Sequence, residues 1–285
     1  MFAFWPYFLG SILMIAMPLV LGWWIAKKRH VRWGLFFIGM VTFVGSQIFH
    51  IPFNWLILQR WQLIPQDTTV LTNLIILSIF LGLSAGVFEE VARYLTYRFW
   101  AKDARSWGAG LMLGAGHGGV ESILIGLSVG VNAVVLAAVS QGQLQGIVPP
   151  EQMSVVDNQV SAMLAAPVGL VLLGPLERVF ALSAHLALSL MVMQVFVRRQ
   201  IGWLALAILW HAMLDAVAVF SVSTWGPYVT EALLGAVALA SVGIIFWLRT
   251  PEPIEPELEP LPPAAPVGPP DGRLSEETLE KSKYS

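Results

Sequence analysis

Long apolar blocks separated by short polar stretches dominate the chain, and seven of them are about as long as a membrane core is thick. A helix needs about 20 mostly apolar residues to cross a hydrocarbon layer of ~30 Å. The blocks cover roughly 5–25, 33–51, 73–98, 107–139, 170–197, 203–223 and 229–248. This pattern predicts an all-α fold, a polytopic transmembrane bundle of about seven spans. Residues 107–140 exceed one span yet cannot hold two, and Gly108, Gly110, Gly114, Gly116, Gly118 and Gly119 suit them to close packing or bending. Residues 158–174, apolar but interrupted by Pro167, are expected to form an interfacial or re-entrant piece before Pro175 opens the next helix.

Composition adds exclusions. Of 285 residues 56% are hydrophobic and 12% charged, whereas soluble domains hold roughly 25% charged residues. The mean hydropathy of +0.71 agrees. A net charge of −2 leaves no basic footprint for nucleic acid. The lack of cysteine removes disulfides, thiolate metal ligands and a cysteine nucleophile.

Charge placement supplies orientation. Lys27, Lys28, Arg29, Arg32, Arg98, Lys102, Arg105, Arg198, Arg199 and Arg249 fall at one end of a seven-span bundle, while loops 52–72, 141–160 and 224–228 contain only Arg60. The positive-inside rule then predicts N-out/C-in. Because bases follow the first block and none precedes it, that block is expected to be a retained anchor. From Thr250 onward eight acids, three bases and many prolines predict a disordered cytoplasmic tail, dividing the chain into 1–249 and 250–285. The expected setting is lipid, as a multi-pass protein of a prokaryotic plasma membrane.

Ionisable residues inside spans cost about 2.5–3.5 kcal/mol each at the bilayer centre and are functional candidates. Here they are Glu89, Glu90, Arg93, His117, Glu121, Glu177, Arg178, His185, His211 and Asp215. At ~1.5 Å per helical residue, Glu90 lies ~12 Å from Arg98, His117 ~18 Å from Arg105, His185 ~20 Å from Arg198 and His211 ~18 Å from Arg199. Four successive helices thus deliver carboxylates and imidazoles to one layer. Glu121 stands four residues after His117 and Asp215 four after His211, so each carboxylate is expected to orient its own histidine. Glu89 and Glu90 point about 100° apart; one is expected to serve chemistry while the other pairs with Arg93. His185 has no such neighbour and reads equally as ligand or packing residue. Glu177 with Arg178 reads as an interfacial or structural pair, and His50 as a solvated residue at a span end.

The chain contains no HExxH, GxSG or GxGD motif. A glutamate with several histidines suits water activation, the carboxylate taking the proton while imidazoles bind a metal or hold an oxyanion. Two other classes use similar residues. A haem-binding membrane protein would use the histidines but leaves Glu89-Glu90-Arg93 unexplained. A proton-coupled transporter would use the carboxylates, although the chain has no visible repeat.

Phe88-Glu89-Glu90-Val91-Ala92-Arg93-Tyr94, followed by Gly116-His117-Gly118-Gly119-Val120-Glu121, resembles the YhfC-type membrane peptidases. These belong to a superfamily of CAAX-prenyl and bacteriocin-processing proteases. The superfamily's pattern is EExxxR, then FxxxH on the next helix, then HxxxN or HxxxD two helices later. The resemblance covers about residues 80–220. It implies that Glu89 and Glu90 activate water, that His117 is the second-motif histidine, and that His211 with Asp215 is the third motif. The first motif is one residue shorter here, and Leu113 replaces the Phe. A non-catalytic branch of the superfamily lacks the glutamate pair retained here. The reading is an intramembrane peptidase acting on a membrane-associated protein or peptide. The resemblance leaves a metal-dependent and a metal-free glutamate mechanism both open. In the first, His117, His211 and His185 are the expected ligands of zinc or another divalent ion, and in either Arg93, Glu121 and Asp215 are supporting residues. Water is expected to enter from the cytoplasmic side.

Overall fold

The computed structural model describes residues 4–143 and 150–250. Among them the regular structure is helical, and seven helices are long and apolar enough to cross a membrane. They are α1 (Trp5–Arg29), α2 (Gly34–Trp55), α3 (Leu71–Leu95), α4 (Trp107–Ser140), α7 (Leu173–Val197), α8 (Gly202–Trp225) and α9 (Pro227–Trp247). Both α2 and α3 end in a π-helical turn, Leu56–Arg60 and Thr96–Trp100. Two shorter helices, α5 (Pro150–Ala165) and α6 (Val168–Val171), precede α7. The seven predicted blocks correspond one to one with the long helices. The segment expected to be re-entrant is instead the end of α5, a break at Pro167 and the turn α6, and α7 begins at Leu173, two residues before Pro175. The expected tail lies outside the described residues from Pro251 onward.

Local chemistry sets the helix ends. Lys27, Lys28 and Arg29 fill the last turn of α1, where cations complement the helix dipole, and His30 closes it in the left-handed region (φ 51°). The Ser106 hydroxyl accepts a hydrogen bond from the Ala109 amide (3.2 Å) and caps α4. Gly226, at φ 79°, turns the chain so that Pro227 can open α9.

The basic segments meet at one end of the bundle. Arg32 pairs with Asp103 at 2.6 Å, joining the α1–α2 and α3–α4 connections. Arg29 and Arg249 both lie over the Trp107 ring (4.6 and 5.6 Å), and Arg198 lies over Trp203 (4.9 Å).

Small residues set the helix spacing that the site requires. A Cβ at Gly39 of α2 or Gly116 of α4 would run into the facing backbone, at Leu113 and Phe36. A Cβ at Gly86 of α3 would come within 2.7 Å of the Ile208 carbonyl of α8. Such close approach, more than side-chain hydrophobicity, holds helices together in lipid. The buried core includes Phe36, Tyr97, Met112, Leu113, Leu188 and Leu190. Large apolar side chains such as Ile48, Phe49 and Leu239 point outward, as a lipid-facing surface requires.

Candidate active site

The predicted layer forms a single cluster. Glu89, Glu90 and Arg93 of α3, His117 of α4, His185 of α7 and His211 of α8 are all buried. The His117 and His185 rings lie 5.3 Å apart, and those of His185 and His211 lie 5.6 Å apart. Glu121 and Asp215 stand at the edge, their side chains 26% and 31% exposed.

The two adjacent glutamates are used differently. Glu90 accepts from Arg93 in a fully buried ion pair and takes a second bond from His211 Nδ1 at 2.8 Å. Glu89 makes no ion pair with Arg93. Its Oε2 lies 3.1 Å from His117 Nε2 and 3.9 Å from His211 Nε2, and its Oε1 accepts from the Gln47 amide at 3.0 Å. Contrary to the expected divergence, both carboxylates therefore reach the His211 ring, from opposite nitrogens. Of the two, Glu90 is the partner of Arg93.

Two further expectations are corrected. Glu121 does not orient His117. It accepts from His185 Nε2 (2.8 Å) and from Arg178 (2.7 Å), across to α7. His185 is thus a held residue: Arg93 donates to its Nδ1 at 3.3 Å, leaving Nε2–H to point at Glu121. Arg178 also pairs with Glu177, so this pair belongs to the wall of the site and is no isolated interfacial contact. Asp215 lies 3.6 Å from His211 Nε2, near the ring as its i+4 spacing suggests, but the ring's hydrogen bond goes to Glu90.

Gln47 and His50 of α2 were absent from the predicted set. His50 Nδ1 bonds to the Gln47 oxygen (3.2 Å), Asn54 and Ser84 lie 2.9 and 3.1 Å from its Nε2, and its ring stacks on Phe88. His50, expected to be solvated, is half-buried and starts a polar chain that ends on Glu89. The 47, 50, 54 spacing on one helix face was available as a signal. The missing knowledge was which helix that face meets.

One ligand atom each from Glu89, His117 and His185 lies within 4.8 Å of the others. Two imidazoles and one carboxylate suit a divalent ion with an open position. His117 Nδ1 is buried and makes no hydrogen bond. The His117 nitrogen beside Glu89 is Nε2, at 3.1 Å, so a ligating Nε2 would leave Nδ1 as the N–H of the ring. Of the expected ligands, His117 and His185 belong to this group, while His211 stands beside it, its Nδ1 committed to Glu90.

A cavity of about 100 Å³ adjoins the cluster, lined among others by Glu89, His185, His211, Asp215, Glu121 and Arg178. It runs toward Glu177, Ala218 and Leu234, away from the basic end. That direction is opposite to the expected water entry.

These features define a class: a multi-pass membrane protein with a buried centre of carboxylates and imidazoles within its spans. A family model described as YhfC intramembrane metalloprotease matches residues 13–239, well beyond the motifs at 80–220. A Bacillus subtilis (strain 168) protein, titled uncharacterized membrane protein YhfC, is 32% identical over 221 residues, covering 74% of this chain and 82% of that protein. The chain belongs to the YhfC intramembrane metalloprotease family. No solved structure matches it. The family's description calls for a divalent metal, and the Glu89–His117–His185 group is a site with suitable donors.

Proposed function

We propose that this protein hydrolyses a peptide bond of a membrane-associated polypeptide, with Glu89 as the carboxylate that takes the proton from the attacking water. One observation carries the choice of Glu89 over Glu90: Glu90 is committed to Arg93 and His211, whereas Glu89 is free of the arginine and lines the cavity. Gln47 pins Oε1 of Glu89 and leaves Oε2 among the imidazoles, which limits rotation of the carboxylate. His117 and His185 would hold a divalent ion, zinc being the simplest choice. When bound, that ion supplies a Lewis acid at the scissile carbonyl. With Nε2–H kept on Glu121, His185 would turn its Nδ1 lone pair from Arg93 to the ion, and Glu121 would be the outer partner that orients the ring. His211, held by Glu90 through Nδ1, presents Nε2 near Glu89 and Asp215. There, as the doubly protonated imidazolium, it can donate to an oxyanion, while Glu89 passes the proton it took from water to the leaving amine.

The 4.8 Å grouping favours a second reading of the same centre. In it Glu89 is itself a metal ligand, and the Glu90-supported His211 takes the water proton through Nε2, as a carboxylate-held imidazole does elsewhere. One experiment tests the function and separates the readings. Metal content and peptide hydrolysis are measured on purified wild type, Glu89→Gln and His117→Ala. An inactive Glu89→Gln that keeps its metal supports Glu89 as base. An inactive variant that also loses the metal supports Glu89 as ligand. Hydrolysis at the parental rate in a well-folded Glu89→Gln defeats both. For chain organisation, we propose that residues 1–249 suffice for the activity and that the remainder is a dispensable extension. A chain truncated after Arg249 that no longer inserts would refute this.

A further inference from the structure

The basic and opposite ends of the bundle differ in how they approach the centre. One turn toward the basic end from Arg93 lies Tyr97, and one turn from His185 lies Ser189. Their hydroxyls bond to each other at 2.9 Å, and Ser189 donates to the Gly110 carbonyl at 2.8 Å. Met112, Leu190 and Met193 fill the same level, each at most 1% exposed. Below them Arg105 donates to the carbonyls of Tyr97, Ala101 and Ala104, tying the α3–α4 connection under the plug.

In the other direction the centre continues into polar space. From His185 the contacts run to Glu121, then Arg178, then Glu177, a strip of ionisable groups along α4 and α7. Glu177, Ala218 and Leu234 line the cavity at the centre and also a second one of about 340 Å³. The second cavity lies between the start of α7, the end of α8 and the start of α9, where Thr230 and Glu231 add polar atoms. Glu231 has one oxygen that is buried and makes no hydrogen bond. Ionisable groups within spans pair with one another or line water-filled cavities; these pair and line two cavities.

We infer that the centre is entered from the end opposite the basic loops, through this vestibule between α7, α8 and α9. With the basic loops held cytoplasmic by the positive-inside rule, the mouth opens on the outer face of the membrane. The segment to be cleaved, on the reading of the centre as hydrolytic, is presented from that face. The strip from Glu177 to Glu121 conducts water to Glu89 along the same route.

The chain has no cysteine, so single thiols can be introduced cleanly at Ala218 and Ala181, which line the route. Thr68→Cys, in the connection between α2 and α3, marks the far end, and Lys102→Cys marks the basic end. Full-length variants are treated with a membrane-impermeant, sulfonated maleimide in intact spheroplasts and in inverted vesicles. Expected is labelling of Ala218→Cys and Ala181→Cys at least tenfold faster from the side that labels Thr68→Cys. Faster labelling from the Lys102 side, equal labelling from both, or none from either while the denatured proteins react, would overturn the proposal. Two positions are used so that one misfolded variant leaves a reading. Hydrolysis plays no part in this result, so the entry route and the catalytic reading fail separately. For the substrate, full modification at Ala218→Cys is expected to slow peptide cleavage at least tenfold, and at Lys102→Cys to leave it unchanged. Unchanged cleavage after modification at Ala218 would remove the substrate from this route.

Discussion

The half of the bundle next to the basic loops and the half beyond the centre are built from the same helices but filled differently. On α7, Leu190 and Met193 are buried in the plug, whereas Glu177 and Ala181, earlier on the same helix, line the cavity. On α8, Ala207 is fully buried near the basic end, and Asp215 and Ala218 face open space farther along. On α4, Met112 and Leu113 are fully enclosed, while Glu121, two turns on, is partly exposed. Large apolar side chains fill one half. Small and ionisable ones line a cavity in the other, of the polar kind that can hold water where an apolar void of that size would stay dry. The centre sits at the boundary, walled on one side and beside a polar cavity on the other.

The strongest way to break this contrast is at the boundary. Glu89→Gln is expected to lower peptide hydrolysis by about 10²–10⁴-fold, the usual loss of a general base, with an unchanged unfolding midpoint. Glu90→Gln acts on the fold, because it strips a buried Arg93 of its carboxylate. Removing one partner of a buried pair typically costs about 3–5 kcal/mol, and its checking measurement is thermal unfolding in detergent. Next comes the closed half: Leu190→Ala should cost about 2 kcal/mol or more by leaving an unfilled cavity. Leu214→Ala, beside a space already open, should cost distinctly less, and equal losses would erase the contrast between halves. A smaller effect is expected at Gln47→Leu. Loss of an outer partner of a ligand or catalytic group costs roughly 10-fold or more in metal affinity or activity, while Gln47→Glu, which replaces the donor by an acceptor against Glu89, should be no better. Titration with Zn²⁺ and a rate assay would check both variants. The smallest effect belongs to Arg32→Ala, which removes an exposed ion pair worth at most about 1 kcal/mol. A large loss there would show that the basic end depends on that link.

Helical rise converts sequence distance into height directly, and the rings of His117, His185 and His211 lie beside one another at one level of the bundle. Pairing was legible only in part. Four-residue spacing places Glu121 one turn beyond His117 and Asp215 one turn beyond His211, on the side away from the basic end. The buried rings nevertheless bond to carboxylates of other helices, Glu89 and Glu90 of α3 and, for His185, Glu121 of α4. Spacing within a helix names neighbours, but several neighbours from different helices compete for each nitrogen. Gly118 makes the point: a Cβ there would come within 2.6 Å of His185 Cδ2, so a missing side chain on α4 determines where an imidazole of α7 lies. Gln47 and His50 escaped notice for the same reason, since neutral and half-buried residues gain meaning only from the helix they face.

By itself the sequence determined the seven spans, the shared end of the basic loops, the polar layer and the family pattern, because hydropathy, charge and spacing are properties of contiguous segments. Tertiary structure decided which glutamate meets Arg93, which imidazoles share space with Glu89, and toward which end the cavity opens. Those outcomes depend on how each helix is rotated about its axis. That rotation is set where glycine faces of different helices meet, at Gly39 against α4, Gly116 against α2 and Gly86 against α8.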